Sequence, residues 1–252
     1  MINDYNSNYA ATSSRTAAEL DEGLRAYMLT VYNYMASALV LTGIAAFAAA
    51  NIPAVAQLLY TFEITPDGQL YLTGHTGLGI VMAIAPIALV FFLSFRINHV
   101  KASTAQGIFW AYAAMVGISL SSVLLVYTGA SVAKTFFITA AAFGGLSLYG
   151  YTTKKSLSGM GSFLIMGLIG LIIASVVNIF MQSSAMDFVI SIAGLLIFAG
   201  LTAYDTQKIK LMYLESDGHE TASKKAIMGA LSLYLDFINM FLFLLRFMGD
   251  RE

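Results

Sequence analysis

Asp236 lies at the centre of an otherwise apolar stretch, Ile227 to Leu245, with nine uncharged residues on either side. If this stretch crosses a membrane, a carboxylate at its centre costs on the order of 2.5–3.5 kcal/mol. The group therefore needs a partner, a proton or a water-filled cavity. Proton binding and cation coordination are the two kinds of chemistry that such a carboxyl group favours.

Asp205 is the second acid that could take part, because it ends the apolar run before this one. A helix that stopped there would leave Asp205 hydrated at the interface, too shallow to meet Asp236. The apolar residues that follow predict instead a helix that continues to about Leu214, before Gly218. Asp205 would then lie nine residues inside its helix end, and Asp236 nine residues beyond Ile227 on the antiparallel neighbour. At about 1.5 Å per residue, the two carboxyl groups are predicted to lie at the same depth and to touch.

Two carboxylates in contact at low dielectric do not both ionise cheaply, so the pair is expected to retain one shared proton. Loss of that proton leaves two like charges that separate, recruit a cation or pair with an arginine, for which Arg96 is the candidate. Oxygen ligands favour Ca²⁺, although two side chains, Asp205 and Asp236, predict only transient binding. Two simpler interpretations stay open: Asp205 as a solvated acid beside Lys208, and Arg96 as an interface anchor.

The last apolar stretch carries one polar stripe. At 100° per residue, four polar side chains fall within about 80° of one another on a helical wheel: Ser232, Asp236, Asn239 and Arg246. Such a stripe is expected to face the interior of a helical bundle. The last helix is therefore predicted to be central.

The composition predicts what surrounds these groups. The chain has 252 residues, of which 58% are hydrophobic and only 11% charged, which is typical of a membrane protein. A net charge of −1 argues against nucleic-acid binding, and the absence of cysteine excludes thiolate chemistry. Apolar runs predict an all-α bundle of seven transmembrane helices, at Met28–Ala50, Gly77–Phe95, Gly107–Tyr127, Thr135–Tyr151, Gly161–Met181, Phe188–Tyr204 and Ile227–Leu245.

Basic residues predict the orientation of the bundle. The N-terminal segment and every second loop hold ten of the 13 basic residues, which places the N-terminus in the cytoplasm and the C-terminus outside. A re-entrant last segment is the alternative, because it would bring Arg246 and Arg251 inside. Residues 1–23 are polar and are predicted to form a disordered tail, and residues 24–252 form the transmembrane domain.

The segment Ala-Leu-Ser-Leu-Tyr-Leu-Asp-Phe-Ile-Asn-Met-Phe-Leu-Phe-Leu-Leu-Arg-Phe at 230–247, with Tyr204-Asp205 upstream, resembles the Bax inhibitor-1 family, in its bacterial branch. The resemblance implies a seven-helix bundle with a central last helix and a pH-sensitive calcium leak across the bacterial inner membrane. It also implies that Asp205 and Asp236 form the proton-sensing pair and that Arg96 is the alternative partner of Asp236. Ca²⁺ is then the permeant ion, and no resident cofactor is expected.

Two other functions remain open. Some bacterial members of the family are associated with a membrane-anchored ATP-dependent protease, so a regulatory protein whose polar tail binds such a partner is the alternative. Paired acids on adjacent helices also occur in intramembrane aspartyl proteases, but Leu-Tyr-Leu-Asp-Phe at 233–237 lacks their Gly-x-Gly-Asp motif. We therefore expect a protein without enzymatic activity, embedded in the lipid bilayer, whose oligomeric state the sequence does not reveal.

Overall fold

The computed structural model describes the backbone of residues 2–64 and 70–250, and the side chains of residues 21–64, 72–97 and 99–250. Its elements are α1 (Ile2–Asn51), α2 (Pro53–Leu59), β1 (Tyr60–Ile64), β2 (Leu70–His75), α3 (Gly77–Arg96), a 3₁₀ turn (Ile97–His99), α4 (Ala102–Ser119), α5 (Ser121–Val126), α6 (Gly129–Thr152), α7 (Ser158–Met181), α8 (Ser184–Met212) and α9 (His219–Met248).

Seven helical segments of the described chain are long and apolar enough to cross a membrane, which confirms the predicted seven-span bundle. The third span consists of α4 and α5, which are separated at Leu120. Most observed spans extend beyond the predicted apolar runs, because the flanking polar residues continue the helices. Polar side chains at helix ends keep access to the interface and to water.

The predicted turn-bearing connection between the first two spans contains regular structure. After the short α2, strands β1 and β2 pair antiparallel, from Tyr60 opposite His75 to Ile64 opposite Leu70. The Tyr60 hydroxyl lies 2.8 Å from Ser121 Oγ, which ties this hairpin to the start of α5. The hairpin therefore covers one end of the bundle.

Helix α9 is the central element, as predicted. It packs against α1, α4, α6 and α8, and most residues of its apolar central stretch are buried. Tyr234 illustrates the packing: its side chain is fully buried, and its ring contacts the rings of Phe109 and Tyr112 of α4 edge-on. Its hydroxyl lies 2.7 Å from Thr42 Oγ1 of α1, so one α9 side chain joins three spans.

The two ends of the bundle differ in charge. We call the end at which α8 stops and α9 begins the lysine-rich face. The opposite end holds the hairpin and the C-terminal residues, where Asp250 N donates to Ser131 Oγ at 2.9 Å. Helix α9 runs without a break between the two ends, which agrees with a full span and not with a re-entrant segment. The lysine-rich face carries Lys101, Lys154, Lys155, Lys224 and Lys225.

The predicted N-terminal tail forms part of α1 in the structure, because this helix begins at Ile2. The side chains of residues 1–20 lie outside the described part of the chain. The disorder predicted for residues 1–23, and their separation from the domain at 24–252, therefore stay predictions.

Gly150 marks the closest approach of α6 to α8. A Cβ at this position would collide with the backbone of Ala203, which cannot move aside as a side chain can. Gly150→Val is expected to push the two helices apart and to lower the free energy of unfolding by roughly 1–3 kcal/mol. Thermal unfolding in detergent measures this effect. Gly145→Val is the matched control, because nothing lies within 4 Å of its Cβ position; equal losses from both substitutions would contradict the packing argument.

Candidate functional site: a cavity between the last three helices

Asp205 lies inside α8, because the helix continues past it to Met212. The extension predicted from the apolar residues is therefore present and stops two residues before Leu214. An interaction beyond the helix fixes the connection to α9: Lys225 Nζ lies 2.6 Å from Asp217 Oδ2 and donates to Met212 O at 3.0 Å. The lysine both pairs with the loop and satisfies a carbonyl at the end of α8.

Asp236 is buried within α9, with 4% of its surface exposed. Its Oδ2 atom has no hydrogen-bond partner among the described residues. A buried, unsatisfied carboxyl oxygen is expensive, because the desolvation cost of the group is not offset. Such an atom in a folded protein marks a strained or functional position.

A cavity of about 610 Å³ lies between α7, α8 and α9 and connects the two acids. Asp205, Asp236, Ser232 and Asn239 all line it, so the structure brings together four of the six residues singled out from the sequence. Asn239 Nδ2 donates to Leu235 O at 2.8 Å, which holds its amide against α9. The remaining walls are mostly apolar, with Ile165, Leu168, Leu171, Ile172, Ser175, Val176, Ile179, Phe198, Leu201, Tyr204, Lys208, Leu235 and Phe243.

A second cavity of about 140 Å³ continues toward the lysine-rich face. Asp205, Lys208 and Ser232 line both cavities, and Met212 and Met228 line only the smaller one. Met212 ends α8, so the smaller cavity reaches the level at which that helix stops. The two cavities therefore follow one another along α8.

The two acids do not lie at the same depth, which corrects the prediction. Gly229 of α9 lies beside Ile209 of α8, at 3.0 Å from a Cβ placed on the glycine to the Ile209 side chain. Because the helices are antiparallel, Asp205 is level with residue 233, and Asp236 lies three residues further along α9. That offset is about one helical turn. The Cβ atoms of antiparallel helices lean toward each other across such an offset, so the predicted carboxyl contact stays a prediction.

Lys208 is a member of the site that the sequence analysis considered only as a surface partner of Asp205. Its ammonium acts electrostatically on both Asp205 and Asp236 and lies 6.0 Å from the centre of the Tyr204 ring. It forms no ion pair within 4.0 Å in the part of the chain that the structure describes. Its position three residues after Asp205, on the same face of a helix, was the signal that could have identified it.

The two predicted arginines lie elsewhere. Arg96 is exposed at the end of α3, and that helix packs against α2 and α4 rather than against the cavity. Arg246 is also exposed, and its Nη1 lies 3.5 Å from Asp187 Oδ1 at the opposite face. The interior stripe of α9 therefore ends before Arg246, because the last turn of the helix emerges from the bundle.

Aromatic rings line the cavity beyond the acids, in the direction of the opposite face. The Phe243 ring covers Gly194 of α8, where a Cβ would meet it, and is stacked on Phe198 with 5.9 Å between ring centres. Both phenylalanines line the cavity. The acids and Lys208 thus lie toward the lysine-rich face, and mostly apolar side chains line the cavity beyond them, as far as Ile179 of α7.

The comparisons with known proteins agree with this architecture. The family model described as inhibitor of apoptosis-promoting Bax1 matches residues 24–252. A protein of Caulobacter vibrioides is 49% identical over 254 residues, which cover 100% of both chains. An uncharacterized protein of Rickettsia prowazekii is 48% identical over 251 residues, or 99% of each chain. Inner membrane protein YbhL of Escherichia coli (strain K12) is 46% identical over 232 residues, covering 91% of this chain and 94% of the relative. The chain is a multi-pass membrane protein that belongs to the Bax inhibitor-1 family.

Proposed function

We propose that this protein is a pH-sensitive cation leak of the bacterial inner membrane, with Ca²⁺ as the permeant ion and Asp205 and Asp236 as its proton-sensing groups. The observation that carries the proposal is the buried Oδ2 atom of Asp236, which lacks a hydrogen-bond partner and belongs to a cavity that Asp205 shares. An intramembrane carboxyl group with cavity access is typical of ion and proton pathways.

The two cavities define the proposed path. They extend along α8 from Met212 to Phe198, which is fourteen residues or about 20 Å. The whole of α8, with 29 residues, is about 43 Å long, so the two cavities run along about half of it. Beyond Phe198 the larger cavity continues along α7 to Ile179, and its mostly apolar lining there would act as the proposed hydrophobic constriction.

The carboxyl groups supply the proposed control by protons. When both are charged they repel one another and offer oxygen ligands to a passing divalent cation. A proton shared between them would remove one charge and join α8 to α9 by a hydrogen bond. The two side chains lean toward each other along the antiparallel helices, so their carboxyl groups can approach across an offset of about one turn.

Calcium flux into proteoliposomes tests the proposed function. Vesicles that contain the purified protein should take up Ca²⁺ faster than empty vesicles, with a rate that depends on pH. Gly194→Trp adds a large side chain where the Phe243 ring already covers the backbone. It is expected to change the rate of Ca²⁺ uptake, because it forces α8 and α9 apart at this level. Uptake equal to that of empty vesicles at every pH would contradict the proposal.

Lys208 is expected to restrain cation entry, because its ammonium lines both cavities beside the acids. Lys208→Gln should raise the calcium flux a few-fold by removing a like charge from the path, whereas Lys208→Arg should preserve the wild-type rate. Lys224→Gln is the control, since Lys224 pairs with Glu220 at 3.3 Å and lines neither cavity. An increase of the same size in Lys224→Gln would assign the effect to surface charge in general.

Binding of a membrane-anchored ATP-dependent protease through the N-terminal segment remains the alternative proposal. The family model begins at residue 24, so the segment before it is the part of the chain outside the matched family domain. Deleting residues 1–23 separates the two functions. Lost protease binding with unchanged flux would favour regulation, and lost flux would place the segment in the transport function.

A further inference from the structure

A third cavity, unrelated to the acids, lies between α1 and α6 near the lysine-rich face. Its volume is about 480 Å³. Helices α1 and α6 do not pack directly against each other along it, and Gly144 contributes to its open floor, with nothing within 4 Å of its Cβ position. The cavity is lined by Arg25, Met28, Leu29, Tyr32, Phe143, Gly144, Ser147, Leu148 and Tyr151.

The cavity is amphipathic along its length. At its inner end, the Tyr32 hydroxyl lies 2.6 Å from Ser147 Oγ, which in turn lies 2.9 Å from Thr206 Oγ1 of α8. Arg25 lies seven residues earlier in α1, about 10 Å nearer the lysine-rich face. The guanidinium is exposed and forms no ion pair with the described side chains. The Arg25 guanidinium therefore lies at the outer end of an apolar groove, without an ion-pair partner among the described side chains.

Two further cations lie at the same end of α6. The helix stops at Thr152, and Lys154 and Lys155 follow it directly. Tyr151 lines the cavity just before them, and its carbonyl accepts a hydrogen bond from Lys210 Nζ at 2.7 Å. Basic pockets between transmembrane helices at this level of a membrane suit phosphate headgroups.

We propose that this groove binds one anionic diacyl phospholipid, with its phosphate at Arg25 and one acyl chain along Gly144 and Leu148. The occupant follows from the two halves of the groove, because a lipid is the molecule in a bilayer that offers a negative headgroup above an apolar chain. Arginine binds phosphate in a forked geometry that lysine does not provide.

A second groove, which α1 and α6 line together with α5 and α9, provides an internal comparison. It has a volume of about 240 Å³, and Gly43, Leu39 and Phe136 are among its lining residues, which include no charged side chain. Gly43 also has nothing within 4 Å of its Cβ position. This groove offers space for a chain but no cation for a headgroup.

Native mass spectrometry of the protein released from nanodiscs of phosphatidylglycerol and phosphatidylethanolamine tests the site. The wild-type protein should retain one phosphatidylglycerol molecule. Arg25→Gln should lower the retained fraction by about fivefold or more, since one cation near a membrane surface contributes about 1 kcal/mol. Gly144→Leu, which fills the groove, should lower it similarly, whereas Gly43→Leu should retain the lipid. Thermal unfolding of each variant verifies that the bundle is folded.

Three outcomes would overturn the proposal. Unchanged retention of phosphatidylglycerol in both Arg25→Gln and Gly144→Leu would show that the lipid does not bind in this groove. Loss of lipid in Arg25→Gln alone would show that only the headgroup is bound and that the groove does not bind an acyl chain. Equal loss in Gly144→Leu and Gly43→Leu would show that any filled groove releases lipid.

Discussion

Asp236→Asn is expected to flatten the pH dependence of calcium flux in proteoliposomes. Asparagine keeps the size of the side chain but does not titrate, so the pair loses its buried titrating group. The population of the minor protonation state of a single titrating group changes by up to about tenfold per pH unit. The calcium flux of Asp236→Asn should lose a pH dependence of this steepness. Asp205→Asn should shift the profile rather than abolish it, because Asp236 remains able to bind a proton.

Asp187→Asn is the matched control for this experiment. Asp187 also belongs to α8, but it is exposed at the opposite face beside Arg246 and lines none of the cavities described above. Its substitution should leave the pH profile unchanged. A pH profile that stays steep in Asp236→Asn, or that flattens equally in Asp187→Asn, would show that Asp236 is not the proton-sensing group.

Tyr234→Ala is expected to lower the free energy of unfolding by about 3–5 kcal/mol, as for other large aromatic truncations in cores. The side chain is fully buried and contacts Phe109, Tyr112 and Thr42, so its removal opens a cavity where α9 meets α1 and α4. Thermal or denaturant unfolding in detergent measures the loss.

Tyr234→Phe separates the ring from its hydroxyl. Thr42 Oγ1 donates its own hydrogen to Ala113 O at 2.9 Å, so the Tyr234 hydroxyl must be the donor to Thr42. Phenylalanine removes that donor and leaves the Thr42 bond intact, at a cost of about 1 kcal/mol. Equal losses from alanine and phenylalanine would contradict the assignment of the stabilisation to ring packing.

The sequence predicted the spans and the two acids because both depend on local pattern. Uninterrupted apolar runs define the helices, and an isolated aspartate such as Asp236 stands out within one. The extension of α8 past Asp205 was also readable, since apolar residues continue to a Gly-containing turn. The β1–β2 hairpin was missed, although Tyr-Thr-Phe-Glu-Ile at 60–64 alternates as a strand does.

The relative depth of the two acids and the residues that surround them could not be predicted from local pattern. The offset between Asp205 and Asp236 depends on how Ile209 packs against Gly229, which is a contact between helices. The beginning of α9 at His219 rather than Ile227 further misled the estimate of depth. Arg96 was assigned to the pair as the candidate arginine of the sequence and again by resemblance, but its location depends on which helix α3 packs against. These are tertiary properties that no single segment encodes.

The separation of the Asp205 and Asp236 carboxyl groups at acid and at alkaline pH tests the central claim most directly. Experimental structures in a lipid environment at the two pH values would measure it. We expect an oxygen–oxygen distance of about 3.5 Å or less at the pH where a proton is shared, and a clearly wider separation at the other. Carboxyl groups that stay apart at both pH values would contradict the central claim.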